Sequence, residues 1–351
     1  MSRTPARLAV MGAGLIGRRH IQHILAEPAA ELTAVVDPGD AGREIAARNG
    51  VPWHASLRDL LAAGRPDGVV VATPNQVHVE NALEAVAAGV PVLVEKPIAD
   101  DPVEGERLVA AAEAAGVPIL VGHHRRHNPI MRAAREIVAS GRLGRIVAVN
   151  ALFWLYKPDD YFGPAWRREP GAGPVFLNLI HDVDNLRYLI GEIVAVHAVE
   201  SNAVRGHAVE ETSAIILQFA SGALATVSVC DTVVAPWSWE MTTGENPAYP
   251  QADEACYLLA GTEGSLSLPK LEVWSNAGPR SWWEPLQRAR LGVAPEDPLA
   301  LQIRHFAAVI RGEEAPLVSG REGLRTLEVV AAIKRASATG QRVILSPPAG
   351  S

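Results

Sequence analysis

"LAVMGAGLIGRRH" (residues 8–20) decides the fold. Its opening apolar run reads as a strand, Gly12-Ala13-Gly14-Leu15-Ile16-Gly17 as a tight turn, and the residues after it as the start of a helix. Glycines at this spacing are a weak signal alone; between a strand and a helix they make a dinucleotide-binding fingerprint. Gly12 permits the turn, Gly14 lets the backbone approach a pyrophosphate, and Gly17 lets helix and strand pack closely. The helix start offers N–H groups and partial positive charge to the phosphates, which brings Leu15 and Ile16 into the same surface. The next apolar run, "LTAVV" (32–36), ends in Asp37, about 20 residues beyond Gly17. A carboxylate there accepts both ribose hydroxyls and repels a 2′-phosphate, so the expected cofactor is NAD rather than NADP.

The runs "GVVVA" (68–72), "VPVLV" (90–94) and "VPILV" (117–121) continue the pattern, with Ala-rich amphipathic segments at 75–89 and 101–116 between them. Unbroken apolar runs are what parallel strands buried on both faces require. Their alternation with helices predicts a doubly wound α/β domain of Rossmann type over residues 1–123. Beyond it the pattern changes. Segments 145–156, 193–200, 212–220, 223–230, 255–260 and 264–268 alternate or run as strands, most of them joined by short turns. This predicts an α+β domain over 124–351 with a largely antiparallel open sheet, one helix over roughly 174–190 and another near 322–338. The stretch 242–254 reads as a long loop.

At 351 residues the chain is long for a single core, and 48% hydrophobic residues suffice for two. The net charge of −7 and the lack of a dense Lys/Arg block argue against nucleic acid or an anionic membrane as partner. "GHHRRHN" (122–128) is too short to track a phosphate backbone. The glycine-broken N-terminus carries no signal-peptide or membrane-span pattern. Cys230 and Cys256 form neither a disulfide framework nor a metal motif. These features predict a cytoplasmic protein with no bound metal.

Two stretches carry chemistry. Of 32 basic residues only four are lysines: Lys96, Lys157, Lys270 and Lys334. Lys96 stands where "VPVLVEKP" leaves its strand, on the edge where such sheets bind ligands. Unlike arginine, a half-buried lysine can lose its proton, and it points one compact charge at a substrate oxygen. Pro97 stops the strand behind it. Thr73, Pro74 and Asn75, in "ATPN", follow the preceding strand and are placed along the nicotinamide end, with His78 and Glu95 on the same cofactor surface. In the second domain, Asn178, His181, Asp182 and Asn185 fall at i, i+3, i+4 and i+7, one polar stripe beside an apolar face. Lysine, glutamate and arginine are the better helix formers for a merely wet face. A histidine in that stripe is a candidate general acid/base.

"GAGLIG", "ATPN", "EKP" and "GAGPVFLNLIHDVDNLRYLIG" (171–191), in this order, resemble the glucose–fructose oxidoreductase / inositol dehydrogenase / rhizopine catabolism (Gfo/Idh/MocA) family. So do "AWRREPGAGP" (165–174), "GTEGSLSL" (261–268) and "SATGQRVIL" (337–345). The resemblance implies an N-terminal Rossmann domain, a C-terminal open-sheet domain, and NAD(P)-dependent oxidation or reduction of sugars, polyols and related cyclic compounds. It implies catalytic roles for Lys96 and His181. Inositol-dehydrogenase-like members carry an aspartate four residues before the histidine; Leu177 stands there in this chain, beside Asn178. Many members carry an asparagine where this chain has His124.

The expected chemistry has His181 take the alcohol proton while Lys96 stabilises the alkoxide, with Asn178, Arg126 and His124 holding substrate and Trp166 and Arg167 reaching the cofactor. The expected partners are a small-molecule substrate, a sugar or polyol, and further copies of the chain in a homodimer or homotetramer that covers the open sheet. Two other readings stand beside this one: a dehydrogenase or reductase of a non-sugar cyclic substrate (a dihydrodiol or semialdehyde), and a non-catalytic dinucleotide sensor.

Overall fold

The structure, a computed structural model, describes residues 4–346. The chain divides into two units: residues up to Asn128 together with Glu296–Leu327, and Pro129–Pro295 together with the chain from Glu328 onward. In the first unit six strands form one parallel sheet: β1 (Ala6–Met11), β2 (Ala30–Val36), β3 (Trp53–His54), β4 (Gly68–Val71), β5 (Val92–Val94) and β6 (Ile119–Val121). Their order is β3-β2-β1-β4-β5-β6. The helices α1 (Leu15–Ala26), α2 (Asp40–Arg48), α3 (Leu57–Ala63), α4 (His78–Ala87) and α5 (Pro102–Ala115) link them.

Val10, Val35, Val69, Val70 and Leu93 are fully buried, which is why these strands show no polar alternation. The helices start and stop on local chemistry. The Asp101 carboxylate accepts the N–H groups of Val103 and Glu104 ahead of α5, and Gly116, at φ 64°, ends it in the left-handed region. The sheet reverses its winding between β1 and β4, the switch point where open α/β sheets bind ligands. Strand β3 is absent from the sequence reading because two residues carry no periodicity.

The second unit opens with α6 (Pro129–Ala139) and builds a nine-stranded sheet. Its strands are β7 (Ile146–Trp154), β8 (Ile193–Ser201), β9 (Thr212–Phe219), β10 (Leu224–Cys230), β11 (Tyr257–Gly261), β12 (Ser265–Leu268), β13 (Glu272–Asn276), β14 (Leu286–Arg290) and β15 (Val343–Ile344). Only the β7–β10 pair is parallel. Helices α7 (Pro174–Leu177) and α8 (Leu179–Ile190) precede β8, and the short α9 (Trp239–Thr243) follows β10. Two long helices come late in the chain, α10 (Pro298–Ile310) in the first unit and α11 (Gly320–Thr339), which crosses the position where the division falls.

One face of the large sheet packs on Met131 and Ile137 of α6, Leu179, Val183 and Leu186 of α8, and Val330 and Ile333 of α11. The other exposes Val147, Val199, Ile216, Leu224 and Leu258. Among the described residues no helix is long and apolar enough to cross a membrane.

The segment expected as one helix over 174–190 is two, parted at Asn178, whose φ of −112° departs from helical values. The expected polar stripe is parted as well. The Tyr257 hydroxyl donates to Asp182 Oδ1, and Asn185 Nδ2 donates to the Tyr257 oxygen at 3.1 Å. All three residues are buried, so this half of the stripe is a polar network inside the core rather than a wet face. Tyr257→Phe removes the hydroxyl both groups share; the expected loss is about 1–3 kcal/mol of unfolding free energy, read from urea denaturation.

Candidate active site

In the first unit a cleft of about 770 Å³ opens at the switch point, lined by Gly12, Gly14, Asp37, Thr73, Pro74 and Asn81 among others. The three glycines are required for different reasons. A Cβ on Gly12 would lie 2.5 Å from the Ala72 carbonyl oxygen, and one on Gly17 would lie 1.9 Å from the Gly12 carbonyl oxygen. Packing explains those two, and Gly12 also stands at φ 97°, in the left-handed region. A Cβ on Gly14 meets nothing within 4 Å, so no protein contact requires glycine there, and its position on the cleft fits a ligand that approaches the backbone. Leu15 and Ile16 follow as the first residues of α1, where N–H groups have no partner within the helix. Asp37 orders the loop: Oδ2 accepts the Ala13 N–H and Oδ1 the Gly39 N–H, both at 2.8 Å.

The edge beyond β4 and β5 is tied together from below. The His78 ring nitrogens lie 2.8 Å from the carbonyl oxygens of Thr73 and Pro97, which joins the loop after β4 to the loop after β5. Asn81 donates to the Thr73 hydroxyl oxygen, and Asn75 opens a 3-10 turn. Glu95 is only 5% exposed. Its Oε1 lies 2.7 Å from Nε2 of the fully buried His20 on α1, and its Oε2 accepts the Lys96 N–H at 3.2 Å. Burial pushes the Glu95 carboxyl up, but the hydrogen bond and charge of His20, with the charges of His124 and Lys96, outweigh it and hold the group at about 2. Gly122 leaves room for this carboxylate, since a Cβ there would lie 2.9 Å from it. Lys96 itself is half-buried at the end of β5.

Residues His124–His127 form a 3-10 turn. Arg126 is 4% exposed, and its guanidinium pairs with Glu322 at 3.0 Å within the same unit.

In the second unit the helix break places Asn178 and His181 together. The Asn178 carbonyl accepts the His181 N–H at 3.1 Å, and the i, i+3 spacing puts both side chains on one face. His181 is buried and Asn178 half-buried. Lys157, just past β7, donates to Asn178 Oδ1 at 2.8 Å and pairs with Asp231 at 3.3 Å. Burial pulls its ammonium below the usual lysine range, against the opposing pull of Asp231. The Tyr161 ring lies 4.9 Å from the Lys157 ammonium and 4.1 Å from the Arg167 guanidinium. Arg167 also donates to the Tyr161 carbonyl at 2.7 Å, while Trp166 next to it is exposed. In the sequence Lys157 is one of four lysines and stands in no motif that marks it. The other two are tied elsewhere: Lys334 to Glu200 and Glu210, Lys270 to Asp253. Among the described residues, no group of three or more His, Cys, Asp or Glu is placed to hold a metal ion.

Residues 6–123 match the family described as "Oxidoreductase family, NAD-binding Rossmann fold", and residues 131–267 match the "GFO/IDH/MocA C-terminal domain". The chain belongs to the GFO/IDH/MocA oxidoreductase family. It is similar to an inositol 2-dehydrogenase of Leifsonia xyli subsp. xyli, 32% identical over 286 residues, 79% of this chain and 78% of that one. It is also similar to a 1,5-anhydro-D-fructose reductase of Ensifer adhaerens, 28% identical over 340 residues, 95% and 97% of the two chains. Among solved structures, the WlbA dehydrogenase from Bordetella pertussis, in complex with NADH and UDP-GlcNAcA, superposes with a TM-score of 0.80 at 27% identity, over 98% of this chain and all of that one.

For this GFO/IDH/MocA protein NAD is the cofactor, and the cleft fits it: a glycine without a packing reason, the free N–H groups of α1, and Asp37 at the end of β2. Gly14→Val therefore leaves the melting temperature near wild type while NADH affinity, read by fluorescence titration, falls about tenfold or more; Gly17→Val unfolds the unit instead. The buried carboxylate gives a second expectation. Glu95 holds its proton less tightly folded than unfolded, so the unfolded chain binds more protons below the ordinary carboxylate range, and stability rises with pH there. The contribution is complete above a pH of about 4.5 and lost as pH falls toward about 2, on the order of 3 kcal/mol in all. In Glu95→Gln the urea midpoint is lower at neutral pH and declines less steeply between pH values of about 5 and 3.

Proposed function

We propose that this protein is an NAD-dependent dehydrogenase that oxidises a secondary alcohol of a sugar, polyol or related cyclic compound. The observation that carries the reading is Lys96, half-buried on the ligand edge of an NAD-binding sheet and seated on a carboxylate that His20 holds ionised. The names of the relatives, an inositol 2-dehydrogenase and a 1,5-anhydro-D-fructose reductase, and a structural neighbour in complex with NADH and UDP-GlcNAcA, support the substrate class.

Bound NAD supplies the hydride acceptor. Lys96 donates a hydrogen bond to the substrate oxygen and stabilises it as negative charge develops. His181 takes the hydroxyl proton. Leu177, in the place of the family aspartate, can neither accept that proton nor balance a lysine charge. Asn178 and His124 orient other oxygens of the substrate, and Trp166 and Arg167 reach the cofactor. Asp37 selects NAD over NADP through its charge. The apolar side chains on the open face of the large sheet suit a second copy of the chain, which gives a homodimer or homotetramer.

The test is NAD reduction across myo-inositol, D-glucose and D-glucuronate, in wild type, Lys96→Met and His181→Ala. Each variant loses about 100-fold or more in kcat/KM while NADH affinity holds. Wild-type turnover in Lys96→Met contradicts the assignment.

A further inference from the structure

The cluster behind Asn178 bears on which atom that amide offers to a ligand. A lysine ammonium has three donors and no acceptor, so the amide atom facing it is a carbonyl oxygen. Lys157 stands 2.8 Å from that oxygen. The lysine is itself held in place. Its side chain is 8% exposed, its ammonium pairs with Asp231 Oδ2 and lies against the Tyr161 ring. Asp231 is fixed in turn by Arg205, whose guanidinium reaches its other carboxylate oxygen and also donates to the Lys157 carbonyl. The Asn178 backbone is as constrained: its N–H donates to the Pro174 carbonyl and its carbonyl accepts from His181. Flipping the amide would set its N–H₂ against the ammonium, donor against donor, in a buried place.

We propose that Lys157 is a positioning residue that locks the Asn178 amide with Nδ2 outward, so that the site beside His181 presents a hydrogen-bond donor and selects a substrate bearing an acceptor oxygen there. This deepens the dehydrogenase reading and rests on it. The acceptor is a hydroxyl, carbonyl or carboxylate oxygen of the substrate. An ammonium in that place is disfavoured, because it sets a second donor against the Asn178 N–H, whose own oxygen is taken by Lys157. A sugar, a polyol or a sugar acid fits; a protonated amino sugar in that register does not.

Asn178→Asp separates this role from a structural one. The substitution keeps the size of the side chain and gives Lys157 a carboxylate, so the cluster stays closed while the outward donor is lost. The measurements are kcat and KM with NAD and the panel compound that wild type oxidises best, melting temperature, and NADH affinity. In Asn178→Asp, kcat/KM falls about 100-fold, with melting temperature at or above wild type and NADH affinity unchanged. In Lys157→Met the amide is free to turn, and the loss is about tenfold, carried in KM rather than kcat; Lys157→Arg restores most of it. A protein in which Asn178→Asp turns over like wild type overturns the inference and leaves the dehydrogenase reading standing. So does a Lys157→Met loss that falls in kcat and tracks melting temperature, without rescue by arginine. A wild type that binds NADH and oxidises no panel compound overturns both.

Discussion

A carboxylate buried where β5 ends is the constraint on which the first unit's chemistry depends. Removing Glu95 from water is costly, and the cost is met by His20 from α1 on one oxygen and by the Lys96 N–H on the other. The pair therefore joins three things: the helix that follows the glycine turn, the strand end, and the backbone of the lysine. Gly122 at the end of β6 is small because this carboxylate occupies the space. His78 adds the parallel tie between the neighbouring loops. The edge of the sheet is thus held by polar contacts beneath it, which keeps the ligand side open for a cofactor and for the Lys96 side chain.

The second unit solves a similar problem differently. A helix that ran unbroken from 174 to 190 would turn the Asn178 amide into one more helical side chain. The break puts it at a junction, with Lys157, Asp231 and Arg205 stacked behind. One carboxylate, Asp231, holds both cations, and the tyrosine ring lies against the lysine. The break also parts the polar residues that follow: Asn178 is held by Lys157, while Asp182 and Asn185 bind Tyr257 in the core.

What the sequence made legible follows from what each signal measures. The glycine turn, the apolar runs and Asp37 are local patterns with fixed spacing, and the Rossmann sheet follows from them. Edge strands such as β3, and β13 and β14 with their polar faces, lack a hydrophobic pattern strong enough to read. The stripe on α8 could not be divided from sequence, because a polar residue bound to a buried tyrosine 75 residues away looks like one facing water. The same holds for Glu95, legible as part of "EKP" but not as the partner of His20. Lys157 left one faint trace, its rarity among arginines. The contacts that give it meaning come from the junction of α7 and α8, the 3-10 turn that holds Tyr161, and the end of β10.

The most direct test of the central claim is the fate of the hydrogen on the substrate carbon. The protein is incubated with NAD and a panel of polyols, aldoses and uronates deuterated on carbon, and the reduced cofactor is examined by mass spectrometry. The account predicts NADH heavier by one deuterium from at least one cyclic polyol or sugar. Cofactor that binds and stays oxidised across the panel would contradict it, as would reduced cofactor that carries no label.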